Sequence, residues 1–343
     1  MKAVQVIRHG EPTEVLAMQD VPEPDVGPGE VRIAVSAASL NFGDIARCRG
    51  SVATVVGEPP FTIGMDVCGV VDRAGEGATD WVGRRVVAMT KQSLGGIAEL
   101  AIAPATSVFD APPELDDVNA AAFTLPFHVS YLALHRRARL TAGERLLVVG
   151  GASAVGTAAI QLGIAIGADV LAVAGGVEKV RLCEGLGATG VDHTAVDLFD
   201  AVIAHTDGHG ADVAFDVVGG DRTEQIWTCL TRGGRYLPVG FNDDPQSGLT
   251  GRPLRKAAMA NISILGVILA YGEMPVEFRR FGLNFFPAEV GREVHGALRD
   301  LVAAGAIRPV IGREVTMEKV AEALQDHAQR RTAGRTVVRV GRG

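Results

Sequence analysis

The stretch best equipped for chemistry is Gly150-Gly151-Ala152-Ser153-Ala154-Val155-Gly156. It follows an apolar run, Leu146 to Val149, that reads as a buried parallel strand. It opens a helical apolar pattern from Ala154 to Ile166, which Gly167 is placed to cap. Counted back from Gly156, the G-x-G-x-x-G template falls on Gly151, Ser153 and Gly156. Serine thus stands where a backbone must approach a pyrophosphate. It is small enough to keep that approach, and its hydroxyl could bond a phosphate oxygen. Unpaired N–H groups and the positive end of the helix dipole would attract the anion. Gly151, Ala152, Ser153, Ala154, Val155 and Gly156 are therefore candidate cofactor contacts.

A second strand is expected over 168–174 and a helix over 177–186, ending at Gly187. An NAD-preferring site wants Asp or Glu at the end of that strand, where the ribose hydroxyls lie. Ala174, Gly175 and Gly176 stand there without charge. Lys179, one turn into the helix, offers an ammonium to a 2′-phosphate, and Arg335 is a second basic candidate. Gly175, Lys179 and Arg335 thus point to NADPH. Further strands are expected over 211–218 and 234–240, with helical patterns between them. This alternation calls for a parallel, doubly wound sheet and raises the glycine turn from a tight bend to a dinucleotide site. Phe241 follows the strand ending at Gly240, at the carboxyl edge where ligands bind in open α/β sheets.

Outside this region, Asn41 and Asp44 are three apart and would share a face of a helical turn. Either residue suits a helix cap. Asn41 could instead donate to a substrate carbonyl or a nicotinamide ribose, and Asp44 could hold a neighbouring arginine. Histidine is the side chain whose ordinary pKa lies near neutrality, so His128 could serve as an acid or base, but a lone histidine on a helix is more often structural.

The elements that must position these groups fall into two styles. Residues up to about 110 read as short strands and glycine turns. The composition shifts at Pro112-Pro113, and 116–140 reads as helix with a kink at Pro126. The αβ repeat then closes on an apolar strand over 261–269. Helices over 293–304 and 317–327 and a strand over 336–340 return to the first style. The expected organisation is a catalytic domain of residues 1–122 and 270–343 around a nucleotide-binding domain of 123–269.

The chain has 343 residues and 43 glycines, long enough for a large core and rich in turns. A net charge of −7 argues against a basic nucleic-acid surface. No apolar run reaches membrane-spanning length, and the amino terminus lacks a signal-peptide core, so a soluble cytoplasmic protein is expected. Cys48, Cys68, Cys183 and Cys229 are scattered, which suits buried thiols rather than disulfides or a zinc cluster.

Several stretches together resemble the medium-chain dehydrogenase/reductase superfamily and, within it, the zinc-independent quinone oxidoreductases. They are Asn41-Phe-Gly-Asp44 through Gly50, Gly64-Met-Asp-Val-Cys-Gly-Val-Val71, Val82-Gly-Arg-Arg-Val86, Leu140 through Gly156, Glu178-Lys179, Leu186-Gly-Ala188 and Gly334-Arg-Thr-Val-Val338. The resemblance implies a GroES-like β-barrel catalytic domain wrapped around a Rossmann domain, with NADPH in the cleft between them. It also implies a homodimer, formed through the edge strand over 261–269. Ser130 matches a family threonine near the nicotinamide, so its hydroxyl would orient the carboxamide or relay a proton. Zinc members of the superfamily place cysteine where Asn41 stands and histidine where Met65 stands. Amide and thioether are poor zinc ligands, Asp66 alone does not make a site, and no metal is expected. The family also shows arginine at the position of Cys48 and tyrosine at that of Val52. Here arginines flank Cys48, at Arg47 and Arg49.

Without a Lewis acid to stabilise an alkoxide, the favoured acceptors delocalise charge themselves: quinones, or alkenes conjugated to a carbonyl. The leading expectation is an NADPH-dependent reductase of such small molecules, with Asn41, Asp44 and Ser130 as catalytic candidates. An enoyl-thioester reductase shares the fold and cofactor. An NADPH-binding sensor or RNA-binding protein with weak catalysis is the alternative from another class. The acidic balance gives RNA binding little support.

Overall fold

The computed structural model describes residues 1–51, 58–240, 254–273 and 275–340. Val52 and Phe241 lie outside the described residues. The chain divides into a terminal unit, Met1–Leu125 with Ala270–Ala303 and Arg308–Gly343, and a central unit, Pro126–Leu269 with Ala304–Ile307.

The central unit is built on six parallel strands. Across the sheet they run Thr189–Asp192, Asp169–Ala174, Arg145–Val149, Ala211–Asp216, Leu230–Pro238 and Ser263–Ile264. Ranked by sequence this is the order 3-2-1-4-5-6 of a Rossmann sheet, and it reverses at Arg145–Val149. The central strands read as apolar runs because both faces are covered: Leu146, Leu147 and Val148 have no exposed surface. The first helix, Ala154–Ile166, starts at the cap Ser153 and stops at Gly167, whose left-handed φ of 87° suits glycine.

Two expectations need correction here. The edge strand is Ser263–Ile264, far shorter than 261–269. Asn261 has a left-handed φ of 53°, so pairing begins only beyond it. It ends where Leu265 N donates to Tyr236 O, and the carbonyl of Gly266 instead accepts from Arg137 Nε. The helix over 116–140 is three pieces: Asp117–Ala121, Thr124–Tyr131 and a π-helical Leu132–Arg137. The break precedes Pro126, which then lies in the first turn of the second piece, where its missing N–H costs little.

The terminal unit holds a seven-stranded sheet and a three-stranded one. In the larger, the last strand of the chain, Arg335–Arg339, pairs antiparallel with Glu30–Ser39, which pairs with Asp66–Ala74. Ser39 faces both Val337 and Asp66 in these registers. The core beneath includes Ile33, Ile45, Ile63, Val67, Val86 and Ile97, all essentially without exposed surface. This register carries Asn41, Asp66 and Arg335 to one place although they are far apart in sequence. No helix among the described residues is long and apolar enough to cross a membrane.

Candidate functional site

The glycine turn is made of backbone held very close to backbone. Gly150 has φ +80°, and a Cβ there would lie 2.5 Å from Val217 Cγ2. A Cβ on Gly156 would lie 2.2 Å from Gly150 O, so strand and helix meet only if this residue is glycine. Gly151 is nearly as confined, against Ala172 and Cys183. Ser153 spends its hydroxyl within the turn: Oγ donates to Gly150 O at 2.7 Å and accepts from Gly156 N at 3.0 Å. The expected bond from Ser153 to a phosphate is thus corrected to a helix cap. The N–H groups of Ala152, Ala154 and Val155 find no acceptor among the described residues. They remain at the start of a 13-residue helix, where an anion is favoured. The turn therefore fits a pyrophosphate through its main chain.

Sequence reading missed what braces this turn. Asp216, fully buried at the carboxyl end of its strand, accepts from Val218 N at 2.8 Å, Gly219 N at 3.0 Å and Tyr236 Oη at 2.7 Å. It fixes the bend that lays Val217 against Gly150. The available signal was an acid closing an apolar strand, Ala211 to Asp216, where a charge needs partners.

At the adenosine end, Gly175 and Gly176 follow the strand Asp169–Ala174, and Lys179 is half-buried in the first turn of the helix Val177–Gly185. An acid arrives there from the neighbouring strand. Asp192 pairs with Ala174 in the sheet, and its Oδ1 accepts from Gly176 N, Thr194 N and Thr194 Oγ1. The Thr194 hydroxyl and these N–H groups hold its carboxyl below the usual carboxylate range. Sequence reading searched only the second strand and so missed an acid one strand away. A Cβ on Gly175 would approach His193 Nε2 to 3.0 Å.

The packing fixes three other candidates, two of them against expectation. Ser130 has no exposed surface, and its Oγ donates to Val155 O at 3.3 Å, tying its helix to the one that follows the glycine turn. In this structure its proton therefore points to a main-chain carbonyl rather than to an open site. His128 is also fully buried, and Tyr131 stacks on His135 at 3.9 Å between ring centroids. Arg335 is buried in the terminal unit and paired with Asp66 there, so it is not a 2′-phosphate ligand.

The terminal unit gathers the remaining polar side chains. Asp66 Oδ1 accepts from Asn41 Nδ2 and from Arg335 Nη2, each at 2.8 Å, and Oδ2 lies 2.6 Å from Arg335 Nη2. Burial pushes the Asp66 carboxyl up, while the Arg335 guanidinium and the Asn41 amide pull it back toward the charged form. Asp44, also without exposed surface, accepts from Asn41 N at 2.9 Å and Gly64 N at 3.3 Å. It closes the capping box of the helix Phe42–Cys48. Burial pushes this carboxyl up too, with Arg47 and the two backbone N–H groups opposing. Asp44 therefore positions a helix rather than reaching a substrate, which corrects its catalytic assignment. Asn41 keeps its place in the cluster, with its amide turned to Asp66.

Among the described residues, no group of three His, Cys, Asp or Glu side chains is arranged to hold a metal. All four cysteines are free and buried. Burial pushes the thiols of Cys48, Cys68 and Cys229 up to about 12 and that of Cys183 to about 11, so they are inert at neutral pH.

Known proteins share both units. Residues 27–113 match the alcohol dehydrogenase GroES-like domain and residues 154–283 the zinc-binding dehydrogenase family. The human quinone oxidoreductase is 30% identical over 327 residues, covering 94% of this chain and 92% of its own. The crystal structure of a probable oxidoreductase from Mycobacterium abscessus has 32% identity and a TM-score of 0.82, with 98% of each chain covered. A mycobacterial protein solved in complex with NADPH has 25% identity and a TM-score of 0.82, covering 98% of this chain and 99% of its own. A GroES-like unit, a Rossmann unit and a quinone oxidoreductase of similar length thus converge, and the chain belongs to the medium-chain dehydrogenase/reductase superfamily, as a quinone oxidoreductase-like member.

Proposed function

We propose that the protein transfers a hydride from NADPH to a quinone or a carbonyl-conjugated alkene without a metal ion. The observation that carries this reading is the engagement of Asp66. Both its oxygens are engaged by Arg335 and one also by Asn41, and the neighbouring Met65 offers only a thioether. Residues so bound do not assemble three protein ligands for zinc. With no metal to stabilise an alkoxide, the acceptor must spread the charge itself, as quinones and enones do. When bound, NADPH supplies the hydride. The chain's own part is to hold the pyrophosphate on the N–H groups of residues 152–155 and to orient the acceptor.

The strand ends at Ala174 without an acid, and Lys179 offers a cation to a 2′-phosphate. The relative solved with NADPH favours the same cofactor. Asp192 opposes it, so the preference rests on the balance of Lys179 and Asp192. We also propose a homodimer through the sheet edge at Ser263–Ile264, near the exposed side chains of Met259 and Ile268. Light scattering that gives a monomer at micromolar concentration contradicts it.

The test is NADPH oxidation with a quinone, an enone and an aldehyde side by side, together with elemental analysis for zinc. Turnover of the first two, little with the aldehyde, and no loss on chelation are expected. Stoichiometric zinc whose removal abolishes activity, or preference for the aldehyde, contradicts the proposal.

A further inference from the structure

The terminal unit buries two Asp–Arg pairs, and they are built differently. Arg335 meets both oxygens of Asp66 within 2.8 Å. Arg47, only 6% exposed, stands 3.5 Å from Asp44, whose oxygens already take the N–H groups of Asn41 and Gly64. Its Nε and Nη1 are buried and make no hydrogen bond with any described residue. A buried donor left unmade is costly, and several on one guanidinium call for an acceptor from outside the chain. The guanidinium passes close to Gly43: a Cβ built there would lie 3.0 Å from Arg47 Nη1, 4.0 Å from Arg47 Cζ and 3.8 Å from the Met65 sulfur.

We propose that Arg47 binds the carbonyl oxygen of the acceptor through these idle N–H groups. Asp44 balances the charge of Arg47, so the place suits a neutral ketone, quinone or enone rather than a full anion. The Met65 thioether gives it an apolar neighbour. This deepens the hydride-transfer reading and rests on it for the reaction. There the hydride leaves NADPH as NADP+ and forms the new bond to the acceptor. The displaced π electrons move onto the acceptor oxygen, giving an enolate or a hydroquinone monoanion. The Arg47 N–H bonds strengthen as that charge develops, and a proton from water completes the product.

The test pairs turnover with binding that needs no turnover. Arg47→Met keeps the length and removes the donors. Arg47→Lys keeps the charge but not the planar fork. Gly43→Ala keeps Arg47 but crowds Nη1, and its higher helix propensity makes unfolding an unsuitable explanation for any loss. Each is assayed for NADPH oxidation with 2-cyclohexen-1-one. Each NADP+-loaded protein is also titrated with 1-indanone, a ketone without an isolated conjugated alkene, by calorimetry. Binding of 1-indanone and kcat/KM should fall by about 10- to 100-fold in Arg47→Met. Arg47→Lys should lie between, and Gly43→Ala should show a smaller loss at undiminished Tm. A wild type that fails to reduce the enone but binds 1-indanone in an Arg47-dependent way supports Arg47 and sinks the hydride-transfer reading. A wild type that does not bind 1-indanone overturns the proposal. So do Arg47→Met and Gly43→Ala proteins that bind it within about twofold of wild type.

Discussion

The central unit prepares its site with backbone, the terminal unit with side chains. Residues 150–156 carry no charged side chain of their own; the anion site is a set of N–H groups on a helix start, and glycine lets strand and helix touch. Around Asn41 the polar groups are two carboxylates and two guanidiniums, nearly all without exposed surface. The first arrangement tolerates no added atom but has little to lose electrostatically. The second tolerates shape changes better than the loss of one charge, because the partner is then left buried and uncompensated.

That contrast breaks first at Gly156. In Gly156→Val the side chain meets Gly150 O and Gly151 Cα, so the turn must open. Stability should fall by about 3 kcal/mol or more and NADPH affinity by about 100-fold, read from thermal melts and fluorescence titration. Next is Arg335→Met, which strands Asp66. Urea unfolding should show a loss of about 3–5 kcal/mol, much of it recovered when Asp66→Asn is added. A fall in NADPH affinity as large as that of Gly156→Val would erase the distinction between the two regions.

The pH dependence gives a third handle. Burial pushes His295 down to about 4, against the bond it makes to Asp110 O, from an ordinary value of 6.5. The folded state holds this ring neutral, so its contribution is intact above about 6.5. It is lost as pH falls from there toward 4, because the unfolded chain takes up the proton first, at a cost of about 3 kcal/mol. His135 and His327 are pushed to about 4 in the same way and add to the slope. Urea midpoints between about pH 7.5 and 4.5 should fall, and less steeply in His295→Phe; a flat wild-type profile contradicts the assignment.

The smallest effects concern cofactor choice. Lys179→Ala should lower the NADPH-to-NADH ratio of kcat/KM by about fivefold. Asp192→Asn should raise it, since a charge near the ribose is removed. Gly175→Asp should lower it, though its Cβ must first displace His193. Unmoved ratios in all three would place the adenosine end elsewhere.

What was legible in the sequence follows the same division. The strand, turn and helix from Arg145 to Gly167 are local, and their apolar runs, cap and glycines fix them within one stretch. Asn41, Asp66 and Arg335 meet only through strand register across a sheet, and Arg335 by itself read only as a second basic candidate for the 2′-phosphate. Asp192 escaped for the same reason, being one strand away from the position searched. Ser130 and Ser153 were chosen for their hydroxyls, and the packing turned both hydroxyls onto main-chain carbonyls. The apolar pattern over 261–269 gave no sign of the left-handed Asn261 that shortens the edge strand.

The measurement closest to the central claim follows the hydride itself. NADPH deuterated at C4, in each of the two configurations, is supplied with 2-cyclohexen-1-one, and the product is read by mass spectrometry and NMR. One configuration should deliver deuterium to the β-carbon of cyclohexanone, with NADP+ formed in equal amount and no dependence on added or chelated zinc. Product without deuterium from either label, or consumption of NADPH without reduced enone, would contradict the account.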